Sequence, residues 1–600
     1  MDRISYSESL RILRAHLERL HGVPERVAVR ESLRRILFSE VRARRANPPD
    51  ALAAMDGIAV DARSASVLPA VLPDGAWQRI NTGEAVPPKF NAVVRIEDVR
   101  WDREQPIVEK AISYFQNIRP AAEDFRSDDL LFAAEHEIEP PDLAFLLAAG
   151  ISEVEVFRKP VVTFIPTGSE LVRDPSTAGY GQVPESNSAM IAGLVAEWGG
   201  TMRLHDPVPD EPEALKAGIR SALSCSDILV LSAGTSMGTR DFTAEICRTL
   251  GTLLFHGVAI HPARPVLFAQ MGDVPVLGLP GYPSAAYLAA TLYLRQLVTA
   301  LSGCKPRMRQ EVYISAEDIP ARKEDSFYRV QCFDVDGRVY SRRIQRGSGS
   351  VRAISQMDGW MHVPPGTEIH KRDAVRIDLI QDRTARVIAI RGANHPYAGK
   401  LFDLFHTSMP SHRILFWESQ PEEALESIIE RNAHMALLST RPRVDLFPAF
   451  SNRLRDPVLR YRLFSRTVSL LLRPKLAALP AQGASIAVPE GSLHLWQDYL
   501  DAGNMNSANC RIEVCAGSEE QLARTVDSNS WDAVFADTRF LGAGAKSQGH
   551  VSEHYDLVVS ESHLESDPAI RHLIDLALSP EYEEWLGRQG AYDPAARGLM

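Results

Sequence analysis

The stretch DILVLSAGTSMGTRDFT, residues 227–243, opens as a buried strand and then gives up its bulky side chains for several residues. Ser232, Ala233, Gly234, Thr235, Ser236 and Gly238 follow the apolar run, and Arg240 then stands beside Asp241. Small residues at the carboxyl end of a strand leave backbone N–H groups uncrowded. At the start of a helix such groups bind an anion through aligned dipoles and unpaired donors.

The surrounding chain repeats the pattern. From 160 to 302, apolar runs (VVTFIP, DILVLS, VPVLGLP) alternate with amphipathic stretches (SNSAMIAGLVAEW, EALKAGIRSAL). This predicts a doubly wound α/β domain: a parallel sheet covered on both faces, with its ligand beyond the carboxyl ends of the strands. Two further strand ends carry small or rigid residues, Thr167-Gly168-Ser169 and Pro280-Gly281-Tyr282-Pro283-Ser284. Phosphate binding is the leading reading of the three loops. A turn and nothing more is the alternative for each one alone.

Acids accompany the loops: Glu170, Asp210 and Asp241. A carboxylate beside a phosphate repels it unless a hard cation lies between, and Mg²⁺ held by one or two carboxylates plus phosphate oxygens resolves the conflict. A metal-assisted phosphoanhydride reaction fits. Equally, Glu170 or Asp241 alone could serve only the first turn of a helix.

The 600 residues leave room for three to five domains. Residues 5–45 alternate apolar and charged positions at helical spacing and read as two helices and a loop. Residues 57–125 are rich in Val, Ile, Pro and Gly, as in AVVRIEDVRW, and read as a small β-rich domain. Residues 306–382 return to alternation with turn signals, a second small β domain. A linker near QDRTAR precedes another α/β region, 386–600.

A net charge of −11 argues against a general nucleic-acid binder, which needs excess Lys and Arg on a face. The first twenty residues have no apolar core of a secretory signal, and no uncharged run is long enough to span a bilayer. The six cysteines are scattered, without zinc or disulfide spacing. A reducing cytoplasm is the expected compartment, with no membrane and no nucleic acid as partner.

Taken in order, the motifs resemble those of the MoeA-type molybdopterin molybdenumtransferases. AMDGIAV, INTGEAVPPKFNAVVRIEDV, IRPAAEDFRSDDLLF, PTGSEL, VPESNSAMI, SAGTSMGTRDFT, GVAIHPARP and LGLPGYPSA follow one another as in that family. The resemblance covers residues 1 to about 382. It implies a domain I at 1–27 and 128–158, a β-rich domain II at 28–127, a molybdopterin-binding α/β domain III at 159–304 and a β-barrel domain IV at 305–382.

The resemblance further implies insertion of molybdenum, or tungsten, from its oxyanion into adenylylated molybdopterin, with Mg²⁺ present and AMP released. Asp56, Thr82, Asp124, Glu170, Asp210 and Asp241 match the family's active-site polar set, with Glu170, Asp210 and Asp241 as metal ligands. Substrate would be met by Thr167, Gly168, Ser169, Ser232, Gly234, Thr235, Ser236, Gly238 and Arg240, by His261 and Arg264, by Pro280 to Ser284, and by Ser348 and Ser350. Arg119 and Arg126 lie beside the motifs and read either as anion contacts or as solvated charges. In that family the cleft forms between the subunits of a homodimer. A molybdopterin adenylyltransferase and molybdoenzyme maturation proteins are expected partners.

Three departures stand out. The family's Lys-Pro-Gly-Lys-Pro segment reads His261-Pro262-Ala263-Arg264-Pro265, so a cation becomes titratable and the turn glycine is lost. Arg for Lys replaces a point charge by a planar fork. Tyr282 replaces an Asn and could stack on a ring or simply pack.

Residues 386–600 resemble a periplasmic-binding-protein-like domain, also akin to LysR effector domains, on the segments RVIAIRGANHP, SEHYDLVVSES and GAYDPAARG. Two lobes with a ligand cleft are implied, with Arg391 to Asn394 at the lip and an oxyanion as one candidate ligand. The relatives' ligand-contacting run is altered here to Arg431-Asn432-Ala433-His434, so a purely structural module is the other reading. Three functions compete: the transferase, the preceding pterin adenylylation, and an oxyanion-responsive sensor or scaffold that keeps only the fold.

Overall fold

The computed structural model describes residues 3–209, 211–232, 242–305, 309–345, 347, 349–381, 384–440, 450, 453, 454, 456–473, 476, 478–480, 483–505, 510–516, 518–526, 531–540, 546–589, 598 and 599. The chain divides into two compact units. One holds Met1–Met308, Lys323–Phe327 and Arg346–Ser355, and the other Arg309–Arg322, Tyr328–Gln345 and Gln356–Met600.

In the first unit, Ser5 caps the helix Tyr6–Leu17 by accepting from Glu8 N at 3.1 Å. The second helix expected before residue 45 is absent. Pro24–Ala28 is instead a strand paired antiparallel with Glu153–Phe157. Beyond it the backbone finds partners outside its own segment: Arg34 N donates to Ile138 O at 2.9 Å, Leu37 N to His136 O at 2.9 Å and Phe38 N to Glu155 O at 3.0 Å. Val29 and Leu37 enter a core with Ile138, Leu146 and Val156. Arg34 at φ 61° is incompatible with a continuing helix. Helical spacing of apolar residues thus yielded to tertiary pairing.

The β-rich part contains a three-stranded antiparallel sheet, Trp77–Ile80, Gly57–Val60 and Ala92–Arg95, with Gly57–Val60 at its centre. Gly57 is required there, because a Cβ would lie 1.9 Å from Val94 O. This fixes where Asp56 leaves the sheet.

The central sheet has six strands in the order Thr201–Leu204, Val161–Pro166, Ile228–Ser232, Val274–Leu279, Leu267–Met271, Thr252–His256. The first four run parallel, but the last two are antiparallel, so the wholly parallel sheet expected from the sequence is corrected to a mixed one. The cause is Gly272-Asp273, a two-residue turn that pairs Met271 with Val274 and reverses the chain; Gly272 takes φ 59°. Helices Pro212–Leu223 and Thr243–Leu250 bury Leu215, Ile219, Ile246 and Cys247 against Ile165, Leu229 and Leu231. Helices Asn187–Glu197 and Pro283–Ala289 also pack on the sheet.

Strands Arg309–Ser315, Asp325–Val335, Arg338–Arg343, Gly359–Val363 and Ala374–Leu379, which belong to the second unit except for Asp325–Phe327, form a ring, closed by pairing of Asp325–Val335 with Gly359–Val363. The C-terminal region builds a nine-stranded sheet around two long antiparallel strands, Val458–Leu472 and Ser547–Ser560. These run through two α/β lobes with separate cores, one around Ile390, Leu401, Phe464 and Ile570, the other around Leu470, Ile486, Trp496 and Phe535. Residues on the two sides of the expected linker share a core: Phe333, Val335 and Tyr340 pack with Val387, Leu415 and Trp417. Asp358, fully buried, receives Arg413, and Asp336 receives Arg431 at 3.2 Å and His563 at 2.9 Å. Among the described residues no helix is long and apolar enough to cross a membrane. None of the six cysteines, all of them among the described residues, is in a disulfide.

Candidate functional site

At the carboxyl edge of the central sheet, the strand-end loops are tied to one another. Thr167 N and Oγ1 both donate to Ser232 O, at 2.8 and 2.9 Å, and Gly168 N donates to Val208 O at 3.3 Å. Thr167 and Ser232 are buried, whereas Ser169 and Glu170 are exposed. Gly168 adopts φ 145°, and a Cβ on it would lie 2.9 Å from Glu170 Oε1. Glycine is therefore what lets the Glu170 carboxylate lie against the backbone.

The third loop joins through a residue the sequence reading did not single out. Asn187, at the start of its helix, donates from Nδ2 to Gly281 O at 2.8 Å, while its buried Oδ1 has no partner. The signal is present in VPESNSAMI, a motif whose pattern alone assigns no role to its asparagine. Pro280 is buried, Gly281 and Tyr282 are exposed, and Pro283 opens the helix that buries Ser284. Gly349 lies against the Tyr282 ring: a Cβ there would be 3.5 Å from Cδ1. Ser350 caps the short helix Val351–Ser355, accepting from Ala353 N at 3.2 Å.

His261 pairs through its backbone with Ser326, and Arg264 binds Glu324 at 2.7 Å, a carboxylate shared with Arg3 at 3.0 Å. Ala263 stands between them, buried, with φ 78°. The turn keeps a glycine-like conformation although the glycine is gone.

The β-rich part forms a second cluster. Asp56 Oδ1 accepts from Thr82 N at 2.6 Å and from Thr82 Oγ1 at 2.7 Å. Those two bonds, the backbone one foremost, hold the Asp56 carboxyl below its ordinary range. Asp124 accepts from Asn47 Nδ2 at 2.6 Å, with Arg119 Nη2 at 3.6 Å. Arg119 Nε is committed to Glu123 at 2.6 Å, and Arg126 is exposed. Both segments are anchored on Leu52–Ala53, which pairs with Ile118–Arg119 and accepts Gly83 N on Ala53 O at 2.8 Å.

Among the described residues, no hydrogen bond or ion pair joins Asp56, Thr82 or Asp124 to the loops around Glu170. The expected site residues thus fall into two clusters and the separate His261–Arg264 turn, all within the first unit. Asp210, Gly234, Thr235, Ser236, Gly238, Arg240, Asp241 and Ser348 lie outside the described residues. No group of three or more His, Cys, Asp or Glu placed to hold a metal occurs among the described residues. Glu170 is the one member of the expected metal set that is described; a lone carboxylate completed by phosphate oxygens is a normal arrangement for Mg²⁺, so it fits that ion.

In the C-terminal region, Ala393 and Asn394 of the expected lip line the cleft between the lobes, whereas Arg391 and Gly392 are not among its lining residues. His434 does not. It is buried, its Nδ1 accepting from Ala389 N at 3.0 Å, and Arg431 is committed to Asp336 and Asp456.

Comparison with known proteins follows this geometry. Residues 4–150 match the MoeA N-terminal region (domain I and II), 163–300 a probable molybdopterin binding domain, and 314–378 the MoeA C-terminal region (domain IV). The chain is similar to the molybdopterin molybdenumtransferase of Synechococcus elongatus, 28% identical over 396 residues, 61% of this chain and 96% of that one. It is also similar to that of Bacillus subtilis, 27% identical over 324 residues, 53% of this chain and 73% of the relative. The crystal structure of a molybdopterin biosynthesis MoeA protein from Pyrococcus horikosii superimposes with a TM-score of 0.55 at 26% identity, covering 64% of this chain and all of that one. The chain therefore carries MoeA-type domains in their family order.

Proposed function

We propose that this chain, with its MoeA-type domains over residues 4–378, is a molybdopterin molybdenumtransferase that inserts molybdenum from molybdate into adenylylated molybdopterin and releases AMP. The observation that carries the reading is the tying of the Thr167–Glu170, Ser232 and Gly281 loops at one sheet edge, where an α/β fold of this kind binds its ligand.

Each described residue then has a part. Gly168 lets the main chain come close to a phosphate, and Glu170 beside it would hold Mg²⁺. Bound there, the ion would neutralise charge on the phosphoanhydride oxygens. Tyr282, exposed at the loop tip, offers a face for a flat heterocycle. Asp56, kept ionised by Thr82, accepts hydrogen bonds rather than supplying protons, and its Oδ2 is open to a donor on the substrate. Arg264 remains tied to Glu324, a carboxylate it shares with Arg3, so at that position the chain contributes a fork fixed in place with its charge partly offset.

The two clusters serve one reaction if two chains assemble so that Asp56, Thr82 and Asp124 of one face the Glu170 loops of the other; a homodimer is the assembly we propose. The compartment is the cytoplasm, where adenylyltransferase and maturation partners would meet it. Ala263 preserves the turn that a glycine would make, which speaks for a working site over a scaffold that has lost it.

The test is turnover by the full chain. Purified protein with adenylylated molybdopterin and Mg²⁺ should release AMP only when molybdate or tungstate is added, and Asp241→Asn should abolish the release. AMP release that ignores the oxyanion, or none at all, overturns the reading.

A further inference from the structure

The two C-terminal lobes enclose a cavity of about 770 Å³. At its base, polar groups are buried and incompletely satisfied. His395 is 4% exposed, lines the cavity, and has no hydrogen-bond partner on Nε2. Its Nδ1 accepts from Tyr397 N at 3.2 Å, so the neutral ring carries its proton on Nε2. Burial, together with Arg466 and Arg539, holds this histidine neutral by pushing its pKa far down. Arg539 also lines the cavity, and its Nε is without a hydrogen-bond partner. Asp537 Oδ2, likewise unpartnered, lies 3.8 Å from Arg539 Nε and from Arg466 Nη1, too far for a hydrogen bond.

Both groups lie against the Tyr397 ring, His395 at 4.6 Å and Arg539 at 5.0 Å, and two buried donors without a hydrogen-bond acceptor cost roughly 1–3 kcal/mol each unless something supplies one. A ligand carboxylate is suited to both.

The charge balance identifies the rest of the ligand. Arg466, the cation closest to an anion-binding role, is already taken: Nε binds Glu553 at 2.6 Å and Nη1 binds Glu519 at 3.0 Å. Glu519 also accepts from Ser492 and from Asp537 N at 3.0 Å, so a side-chain carboxylate occupies the place a free oxyanion would need. On the rim, Glu423 and Glu520 are paired with Arg391 and Arg524, but Glu418 and Glu422 have no ion pair among the described residues. A dianion such as molybdate would meet this surplus of carboxylates with only Arg539 Nε and the neutral His395 to offset it.

We propose that the interlobe cleft binds a small zwitterion of the α-amino-acid class, its carboxylate on His395 Nε2–H and Arg539 Nε–H and its ammonium toward Glu418 and Glu422. The site is separate from the transferase machinery and does not depend on that reading.

The full chain would be titrated calorimetrically with each L-α-amino acid in turn, and separately with putrescine, molybdate, tungstate and inorganic phosphate. Saturable binding of one or more amino acids is expected, weakened about tenfold or more by Arg539→Ala or His395→Ala. Glu418→Gln and Glu422→Gln sit on the exposed rim and should weaken the same ligand several-fold with the fold intact. Tighter binding of putrescine or of any oxyanion overturns the assignment, as does failure of every amino acid to bind, or rim variants that bind as the parent does.

Discussion

Thr82 donates twice to a single oxygen of Asp56, through its backbone N at 2.6 Å and its hydroxyl at 2.7 Å. Both bonds favour the carboxylate, so Asp56 titrates below the ordinary aspartate range. Thr82→Val keeps the shape and the backbone bond but removes the hydroxyl. The Asp56 pKa should rise part of the way back, which carboxyl carbon NMR across an acid titration would read. An unchanged pKa means the hydroxyl contributes nothing to holding the charge.

Gly168→Ala tests the closest contact of the central loops. The new Cβ would meet Glu170 Oε1 at 2.9 Å on a backbone at φ 145°. The expected cost in stability is about 1–3 kcal/mol, from denaturant unfolding. Transferase activity should fall further than that loss of stability explains, because the Glu170 carboxylate must turn away.

Ala263 occupies φ 78° in the buried turn between His261 and Arg264. An alanine there carries about 1 kcal/mol of strain. Ala263→Gly relieves it, partly offset by the greater unfolded-state entropy of glycine, for a net stabilisation of a few tenths of a kcal/mol. Ala263→Val should instead destabilise by about 1–3 kcal/mol. Urea midpoints of the two variants moving in the same direction would contradict this.

His434 is buried against Ala389 N, and burial lowers its pKa to about 4. The unfolded chain takes up this proton near pH 6.5, while the folded chain resists until about 4. Stability contributed by the neutral ring is therefore intact above about pH 6.5 and lost as pH falls toward 4, by roughly 3 kcal/mol. The C-terminal unit should show a thermal midpoint that drops over this window, and His434→Gln should flatten the drop.

Asp358 is fully buried, with Arg413 on Oδ2 and Cys332 N donating to the same oxygen at 2.7 Å. Asp358→Ala leaves the guanidinium without its partner, and a loss of about 3–5 kcal/mol is expected. Because Asp358 immediately precedes the ring strand Gly359–Val363 and Arg413 belongs to the first C-terminal lobe, the two should lose stability together in a protease-protection experiment.

Much of this was legible in the residues. Strand, small-residue loop and helix recur around Val161, Ile228 and Val274, and the structure places those strands side by side, since continuous apolar runs suit a sheet covered on both faces. The segment around Arg34 misled because its apolar spacing satisfies a helix, while its backbone groups are claimed by residues about a hundred positions away. The Gly272-Asp273 turn was readable as a hairpin signal but was masked by the alternating α/β pattern around it. Asn187 was hidden for another reason: its role is a bond to Gly281, distant in sequence, and short-range patterns do not reveal it. The orphaned donors of His395 and Arg539 depend wholly on how two lobes meet and have no signature in the chain.

The most direct test of the account concerns its two clusters, which no described bond links within one chain. Asp56→Ala and Glu170→Ala chains, each inactive alone, would be unfolded, mixed in equal amounts and refolded, and oxyanion-dependent AMP release measured beside refolded wild type. If a dimer pairs Asp56 of one protomer with Glu170 of the other, half of the assemblies are mixed and each holds one intact site, so about a quarter of the wild-type rate should return. A mixture as inactive as its components, beside an active wild type, would contradict the shared site.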